Sequence, residues 1–165
     1  MASAWVAAWA GLAGAPAVAQ EPAVPLTNTV TGVALRSEPV TVTLSPSPGL
    51  KSALEAARRG SGTMALAVEG VKGTLTQPVR INVFVNKPDA NRATPLEDPH
   101  FLGYIHVPPT RGRVENAGRL FDLSSVEVVD PAAPVRVTLV PVVGSNSTPR
   151  DAALQISRIY LRREN

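Results

Sequence analysis

The chain contains no cysteine, which excludes a disulfide scaffold, a cysteine zinc site, an iron–sulfur cluster and a thiol nucleophile. Histidine is nearly as scarce, with only His100 and His106. They stand six apart in a segment of strand character. At about 3.3 Å per residue they share a face but lie roughly 20 Å apart, too far to bind one metal. Aromatics are also few: beyond Trp5 and Trp9 only Phe84, Phe101, Tyr104, Phe121 and Tyr160 remain, too sparse a set to stack bases. Basic runs are missing too, since sixteen Lys and Arg are spread against thirteen Asp and Glu for a net charge of +3. A nucleic-acid groove gathers such charges on one face, so the arginines read as solvated surface and no nucleic-acid partner is expected. Nor is there a phosphate loop, a dinucleotide fingerprint, or a glycine elbow beside Ser124 and Ser125, so no catalytic residue is assigned.

What is present is one domain's worth of chain, at 165 residues with sixteen prolines and twelve glycines, a composition that disfavours a long-helix bundle. Residues 1–19 carry no charged side chain and end in Ala17-Val18-Ala19 before Gln20-Glu21. That small-x-small ending behind an apolar stretch reads as an export signal or leader, although a basic start is missing. A stable membrane span is not expected, because Gly11, Gly14 and Pro16 break the run and no stop-transfer charges follow. Export would place the protein in a periplasmic or extracellular compartment. Residues 20–34 read as a linker or arm, and 35–163 as the ordered domain.

That domain reads as strands. Val40–Leu44, Met64–Val68, Val79–Asn86 and Val135–Val140 place apolar residues at every second position, the period of a half-buried strand, and Phe101–Val107 and Leu154–Tyr160 read as further strands. In Val79–Asn86 the residues Val79, Ile81, Val83 and Val85 share one face, and Phe84 adds bulk to the other. Ser52–Arg59 is the one helical stretch, with Ser52 and Glu55 at capping-box spacing; it reads as a turn within a long connection rather than as core. Gly70 and Gly73 mark a loop, as do the basic residues after Pro108-Pro109. Phe121–Val129 fits a helical turn plus a strand. About seven short strands with one short helical turn imply an all-β fold, an antiparallel two-sheet sandwich of jelly-roll type.

The polar motifs are weak. Glu97-Asp98 before Pro99 suits a turn cap better than a calcium site, which needs several more oxygen ligands. Asn146-Ser147-Thr148 has the glycosylation spacing but is followed by Pro149.

Four segments in order, VRINVFVN (79–86), DPHFLGYIHVPP (98–109), VRVTLVPVVG (135–144) and LQISRIYL (154–161), together resemble the C-terminal domain of the polyphenol oxidases, the tyrosinase and catechol oxidase family. The family motif is kept at Val83-Phe84-Val85-Asn86, Phe101-x-Gly103, Val107-Pro108 and Val137-Thr138-Leu139-Val140-Pro141, and Val40–Leu44 resembles the strand that opens that domain. Two positions depart: Asn82 stands where the family strand often carries Asp, and His106 replaces a polar residue before Val-Pro.

The resemblance implies a β-sandwich that covers a type 3 dicopper site and shields or regulates it, keeping the oxidase latent until cleavage or loosening. Copper would belong to a separate oxidase domain with six histidines on a helix bundle, so this chain is expected to hold no cofactor or metal and to be no enzyme by itself. Phe101, Leu102, Arg111, Arg113 and the loop 110–118 are the candidate partner contacts. Ordinary core packing is the simpler role for Phe101. The alternative is a free-standing exported binding or structural sandwich that shares only the fold. A copper carrier is disfavoured, since no Met or His cluster offers a site.

Overall fold

The computed structural model describes residues 24–109, 111–123, 129–144 and 148–164. The leader at 1–19, Ser124, Ser125, Asn146 and Ser147 lie outside the described residues. Eight strands follow one another: β1 (Val30–Leu35), β2 (Val40–Leu44), β3 (Thr63–Thr74), β4 (Val79–Val85), β5 (Phe101–Val107), β6 (Arg113–Asp122), β7 (Val135–Val142) and β8 (Ala153–Glu164), with helix α1 (Leu50–Arg58) between β2 and β3.

They form two four-stranded sheets of order β1-β8-β3-β6 and β2-β7-β4-β5. The chain can be pictured as one long hairpin. β4 pairs with β5, β3 with β6, β2 with β7 and β1 with β8, all antiparallel. Rolling that hairpin up brings β3 against β8 and β4 against β7, which is the jelly-roll arrangement expected from the strand pattern.

Alternation determines which side chains meet between the sheets. Leu35, Leu44, Leu66, Val79, Ile81, Val83, Val85, Val137, Leu139, Ile156 and Ile159 belong to one buried cluster. The intervening residues Phe84, Val140 and Val142, together with Ala90 and the half-buried Phe101, form a second cluster on the other face of β4 and β7. A sandwich usually leaves its outer face wet. Here the 86–100 connection folds back across it, and Arg92 Nη2 donates to the Ser37 carbonyl beyond β2.

Five local expectations are corrected. The helix spans nine residues and buries Leu50, Ala53, Leu54 and Ala57, so it is part of the core; burying Leu50 and Leu54 alone is worth about 1.5–3 kcal/mol each. Its N-cap is Gly49 without a side-chain cap, not Ser52. Its end is closed by Gly60 N–H to Ala57 O (2.9 Å) and Ser61 N–H to Ala56 O (2.8 Å), a Schellman closure. Gly70 and Gly73 lie within β3 rather than in a loop, at register shifts of the β3–β6 ladder. A β-carbon on Gly73 would lie 2.0 Å from the Ala153 carbonyl oxygen, so β8 approaches closer there than any side chain allows.

The basic stretch after Pro109 becomes strand β6 from Arg113 onward. The chain also joins the fold before residue 35. Leu26 N–H donates to Leu161 O at 2.7 Å, Asn28 N–H to Ser45 O at 3.0 Å, and β1 starts at Val30. Residues 25–28 thus lace the end of β8 to the end of β2, within the segment 20–34 that reads as a linker or arm.

Candidate functional site

Three of the four motif segments, 79–86, 98–109 and 135–144, lie side by side in one sheet, while the fourth, 154–161, belongs to β8 of the other. Val83 of β4 faces Leu139 of β7 on one side and Gly103 of β5 on the other, and Phe84 faces Thr138 and Phe101. Ile81 faces Pro141, and Val107 closes β5 opposite Val79. Val83, Phe84, Val85, Thr138, Leu139 and Val140 are wholly buried, so these residues define packing and register rather than a reactive surface. Asn86 ends β4 in a left-handed conformation (φ 52°), which Asn tolerates because its short side chain bonds locally. Its Oδ1 accepts the Arg136 N–H at 2.9 Å while its own N–H donates to Arg136 O at 2.7 Å. Pro108, exposed, follows β5.

The candidate contacts divide between the two ends of β5. Phe101 packs on Phe84 with ring centroids 5.3 Å apart and planes tilted by 53°, and half-buried Leu102 rests against the main core. Arg111 and Arg113 are exposed beyond the other end, Arg111 in the turn with φ 51° and Arg113 opening β6 opposite Thr74. A seven-residue strand separates the pairs by roughly 20 Å, so the four do not form one patch.

The histidines are also separate. The His100 ring Nδ1–H donates to the Val85 carbonyl at 2.7 Å, and His106 is exposed opposite Arg80. Among the described residues no three His, Cys, Asp or Glu side chains converge as metal ligands would. Asp98 acts as a turn cap: its Oδ1 accepts the His100 N–H at 2.9 Å and its Oδ2 pairs with Lys87 Nζ at 3.4 Å. The His100 backbone bond, aided by Lys87, holds the Asp98 carboxyl below the usual carboxylate range against a smaller opposing effect of burial. On β8, Glu164 raises the Arg162 guanidinium further by hydrogen bonding to it.

Charge is distributed unequally between the sheets. None of the 27 residues of β2, β4, β5 and β7, from strands of 5, 7, 7 and 8, is Asp or Glu, while Arg80, Arg136 and His106 lie among them. On this sheet Tyr104 is 43% exposed, with the Arg80 guanidinium 5.7 Å and that of Arg119 5.9 Å from its ring centroid. Arg119 comes from the other sheet. It reaches across the seam from β6 to donate from Nη1 to the Tyr104 carbonyl at 2.8 Å, and its guanidinium lies 5.4 Å from the Phe121 ring. In the sequence Arg119 belongs with Arg111 and Arg113 to the densest basic group, read as solvated surface, and Tyr104 is assigned no contact. The fifteen-residue separation of Tyr104 and Arg119 matches no local motif, and only the β5–β6 seam brings them together.

Comparison with solved structures finds this architecture in larger proteins. Latent apple tyrosinase aligns with 81% of this chain at a TM-score of 0.53 and 20% identity. Latent aurone synthase, a polyphenol oxidase, aligns with 78% at a TM-score of 0.51, with 17% identity for the recombinant enzyme and 19% for that from a natural source. The fold is one that polyphenol oxidases contain. It is also the family that the ordered motifs resemble. The chain spans 27% of the apple tyrosinase and 25% of the aurone synthase. No family model and no curated protein matches the sequence. Among the described residues no helix is long and apolar enough to cross a membrane.

Proposed function

We propose that this chain is a non-catalytic module of the polyphenol oxidase C-terminal type, which covers the type 3 dicopper site of a separate oxidase domain and holds that domain latent. The observation that carries the reading is the coincidence of two independent likenesses. The jelly roll is shared with about a quarter of two latent polyphenol oxidases, and three of the four motif segments that resemble the same family pair with one another in one sheet. Sequence resemblance at a few positions and likeness of backbone would coincide rarely by chance.

The residues suit a covering role better than a reactive one. Among the described residues there is no converging ligand set, and the motif side chains are spent on the core. Copper and the oxidation of diphenols would belong to the partner. What this chain supplies is a rigid sandwich whose outer face can be laid over an opening, and the leader-like residues 1–19 would deliver it to an exported compartment. Size-exclusion chromatography of the chain mixed with a separately produced dicopper oxidase domain tests the association. A co-eluting equimolar complex is expected. Separate elution at micromolar concentrations of both proteins would argue against it.

A further inference from the structure

We infer that Tyr104, Arg80, Arg119 and His106 form the face that docks on the oxidase domain, and that the surface they meet bears carboxylates. The inference rests on the covering role proposed above and adds which residues make the contact.

Three observations point to this patch. The strands of its sheet contain no Asp or Glu, so a carboxylate approaching Arg80 and His106 meets no repulsion from the strands. The acids of the 86–100 connection, Asp89, Glu97 and Asp98, belong to the opposite end of β4 and β5, where Asp89 and Asp98 pair with Lys87. Arg119, moreover, is held in place. Its Nη1 bonds the Tyr104 carbonyl and its guanidinium lies against two rings, yet among the described residues no carboxylate pairs with it. An arginine ordered in advance loses little side-chain entropy on binding, and its unused N–H donors can take a carboxylate as a fork.

Tyr104 completes the pattern. Exposed Tyr and Arg are the residues that dominate binding energy at protein interfaces, and Tyr104 is among the few large apolar side chains exposed in the described residues. The guanidiniums over its ring occupy the position where a sugar would stack, which leaves the hydroxyl and ring edge available. That arrangement suits an acidic protein surface rather than a carbohydrate.

The test measures affinity of the full chain for the dicopper oxidase domain by titration calorimetry at low and high salt. Arg119→Gln removes the held cation, and His106→Glu adds an unfavourable charge at an exposed edge position where folding is unaffected; thermal denaturation verifies the fold of both. Arg136→Glu, about 20 Å from the patch on the same sheet, is the control. Each patch variant is expected to weaken binding at least tenfold and to flatten its salt dependence, with Arg136→Glu changing it less than twofold. If the wild-type chain binds and both patch variants bind equally well, the docking face is wrong and the covering role stands. If the wild-type chain does not bind at all, the covering role fails and the docking face with it.

Discussion

The Phe121 ring on β6 rests against the bare backbone of Gly103 on β5: a β-carbon at Gly103 would lie 3.2 Å from Cε1 of that ring. This is where the edges of the two sheets meet, and Arg119 crosses the same seam two residues earlier. Gly103 has φ 135°, a conformation that side chains rarely adopt. The glycine of the aromatic-x-Gly motif thus serves both closure and backbone geometry.

Gly103→Ala is therefore expected to cost about 2 kcal/mol or more, combining backbone strain with overpacking against Phe121. Thermal denaturation would show a fall of roughly 5–10 °C for a domain of this size. A midpoint within one degree of wild type would mean that the seam is not closed this way.

Asn82 is 1% exposed and its Oδ1 is buried with no hydrogen-bond partner among the described residues. Phe84, Val140 and Val142 share its face of the sheet. A buried polar atom without a partner costs about 1–3 kcal/mol, and a β-branched residue suits the centre of a sheet. Asn82→Val is expected to leave stability unchanged or raise it by up to that amount in urea titration. A loss above about 1 kcal/mol would show that the Asn82 amide has partners that stabilise the fold.

Asp98 gives the molecule an acid-side pH dependence. Its folded-state pKa is depressed, so its contribution is fully present above the ordinary carboxylate range, near pH 4, and is lost as pH falls through the folded value. Asp98→Ala should lower the melting temperature at pH 7, and the deficit should shrink steadily below about pH 4. An equal deficit at pH 7 and pH 2.5 would separate the cap from the carboxylate charge.

The strands legible in the sequence are those whose alternate residues enter the core: β2, β4, β5, β7 and β8 all show it in their composition. The two that escaped are edge strands. β1 buries only Val33 and Leu35 and is interrupted by Gly32, and β6 buries only Val114 and Phe121 among exposed polar positions. Neither needs a regular apolar period, because one strand edge and much of the surface face solvent. The end of β3 was hidden for another reason, since Gly70 and Gly73 read as loop residues while serving a bulged ladder. The motif residues marked the fold and not the contact surface. Val83 and Leu139 could be picked out as motif positions by resemblance, whereas Tyr104 and Arg119 meet only because the rolled hairpin places β5 beside β6.

The most direct measurement of the central claim is diphenol turnover by a separately produced type 3 copper oxidase domain with this chain added in increasing amounts. A covering module lowers turnover and reaches its full effect near one equivalent, with recovery after limited proteolysis of the added chain. Turnover that stays constant through a tenfold excess, with no complex detected, would contradict the account.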